Sequence, residues 1–156
     1  TGASIACATA HRHPDCVSKL IVQGVPYFSK EEMAEHASRP HDTKAVVADG
    51  SHFKAVWNRF YGAGDRDTSP EATQWSVLYY FIAGETEWHG HNAVFNYDII
   101  SAVEAIKAPT LLISNTGDML HPQDQNLAAA RPDFEFRELE SGSFQYVFRN
   151  DNQVSN

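Results

Sequence analysis

Two short apolar runs, separated by a long stretch of helical pattern, set the tightest limit on what this chain can fold into. The first, Val17-Ser18-Lys19-Leu20-Ile21-Val22-Gln23-Gly24, is rich in β-branched residues and closed by glycine, as expected of a strand buried on both faces. The second, Pro109-Thr110-Leu111-Leu112-Ile113-Ser114, runs into the turn Asn115-Thr116-Gly117-Asp118. Ahead of the first run, Thr1 to Ala10 is small or apolar almost all round, which suits a helix laid closely on a sheet, and Pro14 stops it. A helix followed directly by such a strand is an α/β signature. Beyond the second run, Pro122 to Ala130 suits a helix, and Phe134 to Leu139 alternates apolar and polar residues as a half-covered edge strand does.

Between the two runs the pattern is helical. Ser29 with Glu32 forms a capping-box pair that opens a helix through about Ser38. Phe53, Val56, Trp57 and Phe60 recur at spacings of three and four, predicting an amphipathic helix from Ser51 to about Tyr61. Ser69-Pro70-Glu71 supplies a cap, a first-turn proline and an early acid for a helix reaching Gly84. A further helix is expected from Asn92 to Lys107. No internal repeat or low-complexity segment interrupts the chain.

A length of 156 residues fits one domain, and a hydrophobic share of 42% is enough for one core. With 12 Lys plus Arg against 20 Asp plus Glu the formal charge is −8, which disfavours nucleic acid and membrane-surface partners. No apolar run approaches the ~18 residues of a membrane span. Cys7 and Cys16 form neither a C-x-x-C pair nor a metal spacing, which points to a reducing, cytoplasmic setting. The chain opens without an initiator Met, inside what reads as the first turn of a buried helix, so a truncated chain is expected.

The order helix, buried strand, helical block, strand ending in Gly-Asp, helix, strand resembles the carboxyl-terminal part of the α/β-hydrolase fold. In that family a nucleophile on a G-x-Nuc-x-G turn is followed by a helix of small residues. Thr1-Gly2-Ala3 matches the positions just beyond the nucleophile, which would precede Thr1. Arg12-His13-Pro14-Asp15-Cys16-Val17 and the run after it look like the helix end and sixth strand, and Pro109 to Asp118 like the seventh strand and acid turn. The resemblance thus implies an α/β fold: the last strands of a parallel sheet with an inserted helical cap, divided as core 1–28, cap 29–107 and core 108–156. It places the triad acid on Asp118 and lends the backbone N–H of Thr1 to an oxyanion hole. The family's histidine, in a Gly-His-Phe type of turn, falls on Ser143, and no histidine follows His121. Serine does not take a proton at neutral pH, so the base is missing where it is expected.

Other residues invite chemical readings. Asp118 could also be an ordinary turn aspartate after glycine. His89-Gly90-His91 lacks a third ligand at zinc spacing, so cap histidines rather than a metal site are expected, and no cofactor is implied. His121 is too close in sequence to Asp118 to be its usual partner and reads as a helix-start residue before Pro122. His11 and His13 sit at the wrong end of the first helix to replace the base. Trp57, Trp75 and Trp88 are candidate lining for an apolar substrate pocket, within an aromatic set whose commoner role is the cap's own core. Cys7 reads as a small buried hydrophobe.

The function implied is hydrolysis of a small, largely apolar substrate through a covalent intermediate, an ester by default, with haloalkane, epoxide or carbon–carbon bond cleavage left open by the unseen nucleophile. The chain by itself is expected to be inactive, with an exposed sheet edge that a second copy or a partner segment would cover. The alternative is a non-catalytic relative retained for binding. A third reading is an altered sequence after Gly142.

Overall fold

The computed structural model describes residues 1–40, 45–63 and 69–140. Helix α1 (Gly2–Arg12) ends one residue ahead of His13, and Pro14–Cys16 form a single 3-10 turn, as the fixed proline φ dictates. Strand β1 (Leu20–Gln23) follows. Then come α2 (Lys30–Ser38), α3 (Ser51–Ala63), α4 (Pro70–Ala83), α5 (His89–Phe95) and α6 (Ile99–Ala105). Strand β2 (Thr110–Asn115), α7 (His121–Ala130) and β3 (Glu135–Leu139) complete the described fold.

The three strands form one parallel sheet in the order β1-β2-β3. Leu20 pairs with Thr110 and Gln23 with Ile113, while Leu111 pairs with Glu135 and Asn115 with Leu139. Parallel pairing requires crossover segments, and here α2 to α6 carry the chain from β1 to β2, and α7 carries it from β2 to β3.

One face of the sheet is covered. Leu20, Val22 and Leu112 share a core with Cys7 and Ala10 of α1, Ile99, Val103 and Ile106 at α6, and Leu127 of α7. The small residues of α1 let it approach closely, which explains the composition of residues 1–10. The expectation that β1 is buried on both faces is corrected: Ile21, on the opposite face, is 66% exposed, because none of the described helices packs over that side.

Caps decide the helix ends in the middle block. Ser29 Oγ accepts the Glu32 N–H at 3.2 Å and Glu32 Oε2 accepts the Ser29 N–H at 2.8 Å, closing the capping box. Ser69 Oγ accepts the Ala72 N–H, and Gly84 ends α4 at φ +54. The single helix expected over Asn92–Lys107 is two. Asp98 accepts the Ser101 N–H at 3.1 Å and starts α6 afresh, while Asn96 folds back on the Asn92 carbonyl. This break lets α6 pack on α1 and join the sheet core, although it lies within the span expected to be cap. Helices α3 and α4 hold a separate apolar cluster, in which Val56, Val77 and Tyr80 are buried and Trp57, Phe60 and Phe81 pack around them.

Candidate active site

The carboxyl ends of β1 and β2 meet at a tight polar corner. Gly24, immediately after β1, has φ +63, a backbone region that residues with a Cβ seldom enter. A Cβ built on Gly24 would stand 3.6 Å from Leu120 Cδ1 and 3.9 Å from Asp118 Oδ2, so the two turns lie against each other.

Asp118 is held from several directions. Its N–H donates to the Asn115 carbonyl at 2.9 Å, its Oδ1 accepts the Leu120 N–H at 2.8 Å, and its own carbonyl accepts the His121 N–H at 3.0 Å. These bonds make a compact turn in which the carboxylate is nearly buried yet keeps Oδ2 directed toward Gly24. Open parallel sheets place their ligand sites at the carboxyl ends of strands, and Asp118 occupies such a position.

At the other end of the candidate site, Thr1 is the N-cap residue of α1, and its carbonyl accepts the Ile5 N–H at 3.1 Å. The first amides of the helix have no partner within the helix and are available to a developing negative charge. Helix α5 crosses this end: a Cβ on Gly90 would lie 3.5 Å from Thr1 Oγ1 and 3.7 Å from Thr1 Cγ2.

The tryptophans lie in different surroundings. Trp57 packs around the α3–α4 cluster and stacks with Tyr61 at 6.1 Å, whereas Trp75 on α4 is 56% exposed. Trp88 precedes α5 and stacks on His91 at 5.1 Å, two residues before the glycine that faces Thr1. Among the described residues no group of three or more His, Cys, Asp or Glu side chains is arranged to hold a metal. None of these candidates lines the cleft of about 310 Å³ between α2 and the α5–α6 corner, which is bounded by Phe28, Lys30, Met33, Phe95, Asp98 and Ile100. Ser143 lies outside the described residues.

Sequence reasoning missed three polar residues behind Asp118. Asp124 is fully buried in α7, and its Oδ1 accepts the Val25 N–H at 2.9 Å. Ser114, also fully buried, places Oγ 2.9 Å from His121 Nδ1, and His121 Nε2 lies 3.1 Å from Glu138 on β3. His121 does start α7 before Pro122, as its sequence position suggests. Burial drives the Asp124 carboxyl above its ordinary pKa, against the pull of the Val25 amide, the Ser114 hydroxyl and the Gly24 amide. The nearby charge of Asp118 adds to the rise. The one available sequence signal was spacing, since Asp124 sits three residues before the buried Leu127 and therefore shares its face.

A parallel sheet backed by helices, with a glycine turn and an acid turn at adjacent strand ends, is the architecture of the α/β-hydrolase fold, and this chain has part of that fold. Solved structures agree. The chain is similar to E-2-(acetamidomethylene)succinate hydrolase, with TM-score 0.67 and 17% identity, over 99% of this chain and 60% of that one. It is similar to Est816, an N-acyl homoserine lactone degrading enzyme, with TM-score 0.64 and 21% identity, over 96% and 60%. The thioesterase domain from the curacin biosynthetic pathway matches with TM-score 0.56 and 14% identity, over 94% and 59%. The chain thus spans about 60% of the length of the first structures it matches. No protein-family model matches the sequence. No curated protein matches it either. Among the described residues no helix is long and apolar enough to cross a membrane.

Proposed function

We propose that this chain supplies the acid corner and the helix behind the nucleophile of an α/β-fold hydrolase, whose nucleophile precedes Thr1. The parent would hydrolyse a small apolar ester or related substrate by a nucleophile–histidine–acid mechanism. The observation that carries this reading is the seating of Asp118 at the carboxyl end of β2, turn-bonded and facing Gly24 of the neighbouring strand. Asp118 would orient the ring of a histidine and stabilise its imidazolium, and the amino end of α1 would offer backbone donors to the oxyanion. Residues 29–107 would form the cap, apart from α6, which packs into the sheet core; α5 reaches Thr1, and Trp88 just ahead of it would be the tryptophan that meets a substrate. Unpaired Cys7 and Cys16 support a reducing, cytoplasmic setting.

The isolated chain is then inactive, and no turnover above buffer is expected on short acyl esters of p-nitrophenol. Turnover that Asp118→Ala abolishes would overturn the claim that the nucleophile lies outside the chain. If a protein extended upstream of Thr1 turns over such an ester, Asp118→Asn should lower its kcat by roughly 10³ to 10⁴-fold, as loss of a triad acid does. A binding protein is the second reading, favoured by the lack of any histidine after His121. It predicts saturable ligand binding with no turnover even in the extended protein.

A further inference from the structure

Helix α4 is apolar on all sides, a composition that belongs to a helix enclosed by protein. The only charged residue in Pro70–Ala83 is Glu71, in the first turn. One face is accounted for, since Val77 and Tyr80 are buried with Val56 of α3. The opposite face is open. There Trp75, Leu78, Tyr79 and Ile82 stand at i, i+3, i+4 and i+7 and form one stripe, in which Tyr79 is 64% and Ile82 78% exposed. Trp75 and Tyr79 already pair within it, with ring centroids 6.0 Å apart. Apolar side chains exposed singly are ordinary, but four joined in a stripe on a helix almost free of charge mark a contact surface.

The stripe fits a second copy of itself. Turning one α4 end for end about a two-fold axis through the middle of the stripe lays Trp75 on Ile82 of the other copy, twice, and brings Leu78 to Leu78 and Tyr79 to Tyr79. The bulkiest side chain thus meets an aliphatic one at both ends. Charge also selects this face. Two chains of net charge −8 repel each other, so they associate most readily through a surface that carries none of that charge. Glu71 and Glu85 flank the stripe and stay at its rim. A lipid surface fits less well, because α4 has no lysine or arginine to meet anionic headgroups. Four such side chains, two of them aromatic, cover on the order of 500 Å² on each copy, or about 1,000 Å² in all, the lower limit of a specific interface.

We propose that α4 is a dimerisation helix that pairs antiparallel with α4 of a second copy of this chain through Trp75, Leu78, Tyr79 and Ile82. Trp75 then serves this contact and not a substrate pocket. None of the four residues belongs to the acid corner or to the Thr1 end, so the inference is independent of the hydrolase reading.

Sedimentation velocity on the full chain tests it. The dimer should grow with concentration across roughly 1–100 μM, the range of a small interface, and salt should strengthen it by screening the rim carboxylates. Tyr79→Glu sets two carboxylates together beside the axis and should leave a monomer at the highest of these concentrations, with unchanged far-ultraviolet circular dichroism because the side chain is exposed. Disulfide trapping checks the register. In a Cys16→Ser background, where the remaining Cys7 is buried, Leu78→Cys should cross-link readily under mild oxidation. Ile82→Cys should not, since its two copies lie about 10 Å apart along the helix, beyond the reach of a disulfide. A chain that is monomeric at every concentration, a dimer that survives Tyr79→Glu, as one formed through the sheet edge would, or equal trapping at positions 78 and 82 would each overturn the proposal. So would a monomer that floats with vesicles of phosphatidylcholine and phosphatidylglycerol, which would assign the face to lipid. If Tyr79→Glu fails to fold, trapping at 78 against 82 decides by itself.

Discussion

Gly24 and Asp118 face each other across the ends of two paired parallel strands, with 3.9 Å between Asp118 Oδ2 and the point where a Gly24 Cβ would stand. That separation is ordinary contact, so the difficulty at position 24 is backbone conformation rather than space. Gly24→Ala should therefore destabilise the fold by about 1–2 kcal/mol, the cost of an L-residue in the left-handed region. Urea unfolding followed by circular dichroism would measure it. A cost well above that range would mean that Asp118 or Leu120 is displaced.

Asp124 gives a pH signature. Its folded-state pKa lies above its ordinary value of 3.8, so the folded chain binds a proton more tightly there than the unfolded chain does. Its stabilising contribution is fully present below 3.8 and is lost as pH rises through the folded pKa. Glu35, Asp49, Asp98 and Asp133 are shifted the other way, mainly by bonds to Arg39, Ser51, Ser101 and Arg131, and oppose this slope. Comparing wild type with Asp124→Asn cancels their contribution. The variant should gain stability relative to wild type as pH rises through that interval, and parallel stability curves would refute the burial argument.

The two thiols should separate cleanly. Cys7 lies in the sheet core, where burial pushes its pKa up to about 11, whereas Cys16 is exposed in the turn after α1. Because the thiolate is the reactive form, a disulfide reagent should modify Cys16 promptly and Cys7 only after denaturation. Rapid release of two equivalents from the folded chain would show that α1 is not seated on β1.

Arg131 fastens the end of α7 to the end of α6. Its guanidinium donates to the Val103 and Ile106 carbonyls, pairs with Asp133 at 2.6 Å and lies 4.0 Å from the Phe134 ring. The Val103 carbonyl already accepts the Ile106 N–H at 3.3 Å, and the fork adds donors to it and to the Ile106 carbonyl at the frayed end of α6. Arg131→Ala should cost about 2–3 kcal/mol in unfolding free energy. Arg131→Lys should recover little, since one ammonium does not reproduce the planar fork. Full rescue by lysine would reduce the site to simple charge.

What could be read from the sequence was whatever local chemistry decides. The small residues of α1 announced a close helix–sheet contact, the Ser29–Glu32 pair announced α2, and the Gly-Asp turn after Ser114 marked the corner that the fold builds. Two features escaped because they depend on partners distant in sequence. Nothing within Val17 to Gly24 says that, among the described residues, only one face finds a covering helix, so the exposure of Ile21 was not legible. Nothing in Pro122 to Ala130 names Val25, many residues earlier, as the donor that makes a buried Asp124 acceptable. The break at Asn96 to Asp98 was readable in principle, since Asp98 and Ser101 have cap spacing, but the apolar rhythm on either side obscured it.

Position 90 sets the headroom above the start of the first helix. With hydrogen as its only side chain, α5 rests within van der Waals reach of Thr1; a methyl group would just touch, and anything longer would have to push the threonine or lift the helix. The vertical clearance over that backbone is therefore tuned by a single residue that takes no part in any bond-making step, and a graded series of side chains there would act as shims of known thickness.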